Sequence, residues 1–232
     1  LTEEGERDFV FYRDPGADML LDQSDIIDSI FSGSGVFHFG SITMTHEPSH
    51  SATFKAIQLA RKHSYLISFD PNLRPALWKT LEEAREKIRL GMELSDVVKL
   101  NEEEAMFIAE TDTVEGAIRY LQRSYNLALV IITLGKEGSI LVHQGKSLRV
   151  EGFPVHAIDT TGAGDGFVAG LISSLYMFWN DLRERKPIPD DTLRYAGRRA
   201  NAVGALTTLK KGAIPALPTQ EEVEIFIEEN PL

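Results

Sequence analysis

The 232 residues carry 24 Lys and Arg against 35 Asp and Glu, a formal net charge of −11, which speaks against nucleic acid or an anionic membrane surface as the main partner. There is no cysteine, so disulfides, thiolate metal sites and a cysteine nucleophile are excluded. No apolar run reaches the length of a membrane span, and Leu1-Thr2-Glu3-Glu4-Gly5-Glu6-Arg7 lacks the features of a signal peptide. The expectation is a soluble cytoplasmic protein with one core, a single domain over 1–232.

Taken in order, residues 8–13 alternate enough for a short strand, and Asp14-Pro15-Gly16 follows as a turn. Ser24 is placed to cap a short helix that ends before Gly33 and Gly35. Residues 36–40 read as a buried strand, 48–63 as a helix opened by Pro48, and 65–69 as a second strand. Thr80-Leu81-Glu82-Glu83 is a capping box for a helix running to Leu94. Then come a strand at 96–100, a helix capped by Asn101, and another helix over 114–124. The run 127–134 is nearly continuous in apolar residues, as a central strand buried on both faces should be. Residues 139–143 and 147–150 form a hairpin about Gln144-Gly145, and three helices finish the chain, from Gly164, from Asp190, and behind a Thr219–Glu222 cap. Strands alternating with helices imply an α/β fold, a doubly wound and largely parallel sheet flanked by helices.

The chemistry concentrates in Asp159-Thr160-Thr161-Gly162-Ala163-Gly164-Asp165-Gly166, where extended chain feeds a helix. Small residues let the backbone approach a ligand, and free N–H groups of a first helical turn attract anions. Read plainly, Asp165 complements the helix dipole and the glycines only permit a turn. An acid inside an anion-attracting turn makes more sense if Asp165 accepts the proton of a hydroxyl that attacks a phosphate held beside it. The rival phosphate motifs are absent: there is no G-x-x-x-x-G-K-[ST], and Phe167 stands where G-x-G-x-x-G needs its last glycine.

This stretch closely resembles the second signature of the ribokinase-like (PfkB) carbohydrate kinases. Phe69-Asp70-Pro71-Asn72-Leu73-Arg74-Pro75, Asn101-Glu102-Glu103-Glu104, Thr133-Leu134-Gly135-Lys136-Glu137-Gly138 and Lys211-Gly212-Ala213 follow the family's order across nearly the whole chain. Asp-Pro-Asn-Leu-Arg-Pro with Phe11-Tyr12-Arg13 resembles fructokinases most, and 2-keto-3-deoxygluconate kinases next. The resemblance implies ATP-dependent phosphorylation of a sugar hydroxyl with Mg²⁺ and, in some members, K⁺. It also implies small-molecule partners, ATP and the sugar, and a homodimer.

Family members carry an N-terminal portion with a first strand, an Asn and paired-glycine sugar signature, and strands of a lid. No such segment precedes Phe9. The lid is therefore expected to be incomplete, with residues 1–20 a remnant of its sugar-site strands. That keeps a reading of another class open, a nucleotide-binding fragment or pseudoenzyme without turnover.

By the same resemblance, Asp165 is the base, and the N–H groups of Gly162, Ala163 and Gly164 hold the transferred phosphoryl group. Asn101 and Glu104 read from residues alone as an ordinary helix start. The family instead uses this pair to order phosphate and Mg²⁺, Glu104 acting through water. Thr133, Gly135, Gly138 and Asn201 match nucleotide-site positions, and Tyr12, Arg13, Asp18, Arg74 and Asp165 surround the sugar and the transferred phosphate. Asp159, Thr161, Thr207, Lys210, Gly212 and Ala216 correspond to a K⁺ site, with Ala216 in place of a hydroxyl residue. Asp70 and Asn72 read as shaping the Asp-Pro-Asn turn rather than touching ligand. His46-Glu47-Pro48-Ser49-His50 matches the zinc-protease pattern H-E-x-x-H, but Pro48 at its centre forbids the continuous helix that this chemistry needs.

Overall fold

Four apolar runs separated by amphipathic segments become four parallel strands in the computed structural model, which describes residues 13, 15–33 and 35–231. The strands β1 (Val36–Gly40), β2 (Leu66–Asp70), β3 (Val97–Asn101) and β4 (Leu129–Thr133) lie side by side in chain order. They are joined by α1 (Ser49–Lys62), α2 (Leu81–Glu93), and the pair α3 (Glu102–Ala109) and α4 (Val114–Ser124). β5 (Gly138–His143) and β6 (Lys146–Glu151) extend the sheet antiparallel, β5 on β4 and β6 on β5. Gln144 (φ 47°) and Gly145 (φ 80°) turn this hairpin with both central residues left-handed, the twist that a two-residue turn requires. The chain ends with α5 (Ala163–Ser174), the short α6 (Trp179–Arg183), α7 (Asp190–Thr207) and α8 (Gln220–Glu229).

Both faces of the sheet are covered. Ile57, Ile88, Ile108 and Leu121 of α1–α4 pack with Ile67, Phe69, Val98, Leu100, Val130 and Ile132. The alternate strand residues Leu66, Val97, Leu129, Ile131 and Leu141 meet Phe167, Leu171, Leu182, Leu193 and Ala196 of α5–α7. Double-sided burial is why the strands read as continuous apolar runs. The expected α/β architecture holds, helices on both faces of a largely parallel sheet, with the hairpin making the sheet mixed. Loops after β2, β3 and β4 share one edge, the carboxyl end of the parallel strands, where ligands bind in open α/β sheets.

Two segments differ from the sequence reading. Residues 17–31 hold three short 3₁₀ turns instead of a helix capped by Ser24. Asp22 accepts from both the N–H and the Oγ of Ser24 (each 2.8 Å), and Asp25 accepts from Asp22 N–H at 2.9 Å. This local network competes with a helix. No strand occurs in the described part of residues 1–20; the strand read over 8–13 lies outside the described residues except at Arg13. The five-residue α6 was not anticipated, being too short to show a period. No helix among the described residues is long and apolar enough to cross a membrane.

Candidate active site

The turn before α5 is built around Gly162, which caps the helix at φ 80°, ψ −1°. That left-handed conformation disfavours any side chain, and a Cβ there would lie 3.0 Å from Ala213 Cβ. Ala163, Gly164 and Asp165 form the first helical turn, whose N–H groups have no intrahelical acceptor. Ala163 N–H turns back to Thr160 O at 3.3 Å, while no acceptor among the described residues takes the N–H of Gly162 or Gly164. So of the three amides expected to hold phosphate, two are open and one is used inside the turn.

Below this turn lies a residue that the sequence reading passed over. Lys99 stands in β3 among Val97, Val98 and Leu100, and its Nζ donates to Asp70 Oδ2 at 3.0 Å. Both side chains are almost withdrawn from solvent, 10% and 6% exposed. A Cβ on Gly164 would lie 3.3 Å from Lys99 Nζ, so the ammonium packs directly against the turn. Asp70, expected only to shape its turn, is thus half of a buried ion pair. Its Oδ1 is buried without a hydrogen-bond partner.

Asn101 and Glu104 form a reciprocal helix cap: Asn101 Oδ1 accepts from Glu104 N–H (2.8 Å), and Glu104 Oε2 accepts from Asn101 N–H (2.9 Å). Glu104 Oε1 accepts in addition from Leu73 N–H at 2.8 Å. Glu104 therefore braces the turn carrying Arg74 against the start of α3. Burial pushes its carboxyl above the ordinary range, Lys99 pulls the other way, and the charge of Asp70 adds to the upward push.

Asp165, Gly162, Gly164, Lys99, Asn101 and Arg74 line one cavity of about 760 Å³, together with Thr133, Gly135, Gly138 and Asn201. Gly135 (φ 57°) and Gly138 (φ 103°) turn β4 into β5. At Gly138 a Cβ would lie 2.1 Å from Val150 O, so only glycine lets β5 leave the turn this close to β6. Asn201 is 8% exposed rather than a surface amide; its Nδ2 donates to Val150 O (3.2 Å) and Glu151 O (3.0 Å) and ties α7 to the end of β6.

The cation set is partly assembled. Asp159 Oδ1 accepts from Thr161 N–H and Oδ2 from Gly212 N–H, each at 2.9 Å, so one buried carboxylate holds the 159–161 and 210–216 turns together. Thr207 Oγ1 donates to Val203 O, Lys210 pairs with Glu222, and Ala216 is buried. Arg13 and Asp18 form an ion pair with each other at 2.5 Å and are not among the residues lining the cavity. Tyr12 lies outside the described residues. In the H-E-x-x-H segment α1 begins only at Ser49, after Pro48; His46 bonds to Thr45 Oγ1 and His50 to Glu47 Oε1, so the two rings are not presented by one helix.

A buried lysine, an acid in a glycine-bounded helix start and a row of loops are thus gathered around one cavity at the carboxyl ends of the strands. The model of the pfkB family carbohydrate kinases matches residues 1–220, and the chain belongs to that family of sugar kinases. Among its relatives, "Probable fructokinase-4" of Arabidopsis thaliana is 41% identical over 231 residues, 99% of this chain and 69% of the relative. "Probable fructokinase-6, chloroplastic" of the same plant is 43% identical over 96% of this chain and 57% of the relative. Fructokinase from Vibrio cholerae O395, solved with fructose, ADP and calcium ion, has a TM-score of 0.81 at 35% identity, covering 92% of this chain and 66% of that one. Fructokinase with bound ATP from Xylella fastidiosa has a TM-score of 0.85 at 31% identity, covering 97% and 71%. The chain thus spans about two thirds of the length of these relatives.

Proposed function

We propose that the chain transfers the terminal phosphoryl group of ATP to a hydroxyl of fructose. The observation that carries this reading is Asp165 in the first turn of α5, beside the open N–H groups of Gly162 and Gly164, in the cavity that Lys99, Asn101 and Arg74 also line. Asp165 accepts the sugar proton late, as the O–P bond forms, because a carboxylate is far less basic than an alkoxide. The Gly162 and Gly164 amides hold charge on the transferred group, and Arg74 adds a guanidinium suited to phosphate. Thr133, Gly135 and Gly138 form the nucleotide wall, and Asn201 positions it through its bonds to β6.

No three His, Asp or Glu side chains cluster to hold a metal ion among the described residues, and both Glu104 oxygens are engaged. The donor set therefore fits a Mg²⁺ carried by the nucleotide phosphates and waters, with Glu104 ordering the loops around it. When bound, Mg²⁺ neutralises phosphate charge. Asp159, whose carboxylate already ties the N–H groups of Thr161 and Gly212 together, would share its buried negative charge with K⁺ and so stiffen the anion-binding turn. A V. cholerae fructokinase variant was solved with fructose, ADP and potassium ion, which supports the reading.

The test is a coupled ADP-release assay with Mg-ATP and K⁺ on fructose, 2-keto-3-deoxygluconate and ribose. Turnover highest on fructose is the expected result. Nucleotide binding with no turnover on any sugar would favour a nucleotide-binding module that lacks its sugar pocket.

A further inference from the structure

We propose that Lys99 contacts the phosphoryl group in flight and supplies the positive charge that receives it. The inference rests on the kinase reading above and adds a residue to it. β3 is covered on both faces, and an ammonium inside such a strand loses most of its hydration, which is costly unless partners replace the water. Asp70 replaces only part of it. It takes one of three N–H donors, through a single 3.0 Å contact, and no other acceptor among the described residues takes the rest.

Lys99 and Asp70 both line the cavity with Asp165, so the ion pair faces the site instead of being sealed in the core, and only a hydrogen at Gly164 stands between Lys99 Nζ and the anion-binding turn. The ammonium, the open amides of Gly162 and Gly164, and Asp165 thus line the same cavity, with Nζ against the turn at Gly164. A compact ammonium is suited to the spread charge of a metaphosphate-like group.

In the step itself the sugar oxygen forms a bond to the γ-phosphorus. The bond from that phosphorus to the β,γ-bridging oxygen breaks, and its electron pair leaves with ADP. The hydroxyl proton passes to Asp165. Lys99 keeps its protons throughout and contributes charge alone.

The test compares Lys99→Met with the double variant Asp70→Asn/Lys99→Met, which leaves no lone carboxylate in the core. Folding is checked by circular dichroism, affinities for ADP and a non-hydrolysable ATP analogue are measured by calorimetry, and turnover is measured with Mg-ATP. The expected result is ADP affinity within about threefold of wild type, a triphosphate-to-diphosphate affinity ratio reduced about tenfold or more, and kcat lowered about a hundredfold or more. An unchanged affinity ratio in either folded variant overturns the proposal, even if stability or turnover falls, since a purely structural lysine would not distinguish the two nucleotides. If the wild-type chain binds no ADP, the kinase reading fails first and this proposal with it.

Discussion

Replacing Gly164 by Ala separates the stability of the fold from the chemistry of the site. Gly164 is the second residue of α5, where alanine is the better helix former by at most about 1 kcal/mol. The added Cβ would meet only Lys99 Nζ, at 3.3 Å, the far end of a flexible side chain that yields by a few tenths of an ångström. The melting temperature should therefore hold or rise, by no more than about 4 °C for a chain of this size. Activity should move the other way. The methyl group occupies the gap between the ammonium and the turn and moves Nζ by a few tenths of an ångström; at about 10² in rate per 1 Å of misplacement, kcat/KM should fall about two- to tenfold. Calorimetric melting and steady-state ADP release on the same preparation give both numbers. Wild-type kcat/KM in a variant of unchanged stability would refute the placement of the phosphoryl group at this turn.

Gly138→Ala should do the opposite and damage the fold. Its Cβ would fall 2.1 Å from Val150 O and 2.4 Å from Gly152 N, both backbone, so the β5–β6 register must give and urea unfolding should show a loss of more than about 3 kcal/mol. Asp159→Ala strips the acceptor from Thr161 N–H and Gly212 N–H; the expected loss is about 2–4 kcal/mol, with any K⁺ stimulation of turnover gone. Glu104 has its folded pKa raised, chiefly by burial, so it contributes stability that is complete below its unfolded pKa and is lost as pH rises through the folded value. The wild-type minus Glu104→Gln difference in unfolding free energy should fall as pH rises above the ordinary carboxylate range, and a flat difference would contradict the shift.

How much was legible depended on where the determining contacts lie along the chain. Thr219 and Glu222 cap α8 from three residues apart, and Gln144-Gly145 needs nothing beyond its own backbone to turn the hairpin, so both could be read locally. The Asn101–Glu104 cap was equally plain, yet its second task was not, because Leu73 N–H arrives from 31 residues away. The buried bonds of Asn201 were hidden for the same reason: its acceptors, Val150 O and Glu151 O, belong to a distant strand end. Residues 17–31 misled because Asp22 and Asp25 satisfy their own backbone in tight turns. Lys99 did leave a signal. A lysine inside Val97-Val98-Lys99-Leu100, in a sheet covered on both sides, has to be paired or functional, and that argument was available before the fold was known.

The most direct test of the central claim is the kcat of Asp165→Asn, with nucleotide affinity measured on the same protein. Asn keeps the size of the side chain and removes the group that accepts the proton. The account predicts kcat reduced about 10²- to 10⁴-fold, with ADP affinity and melting temperature close to wild type. A folded Asp165→Asn variant that turns over within tenfold of wild type would contradict it, because the proton of the attacking hydroxyl would then be leaving by another route.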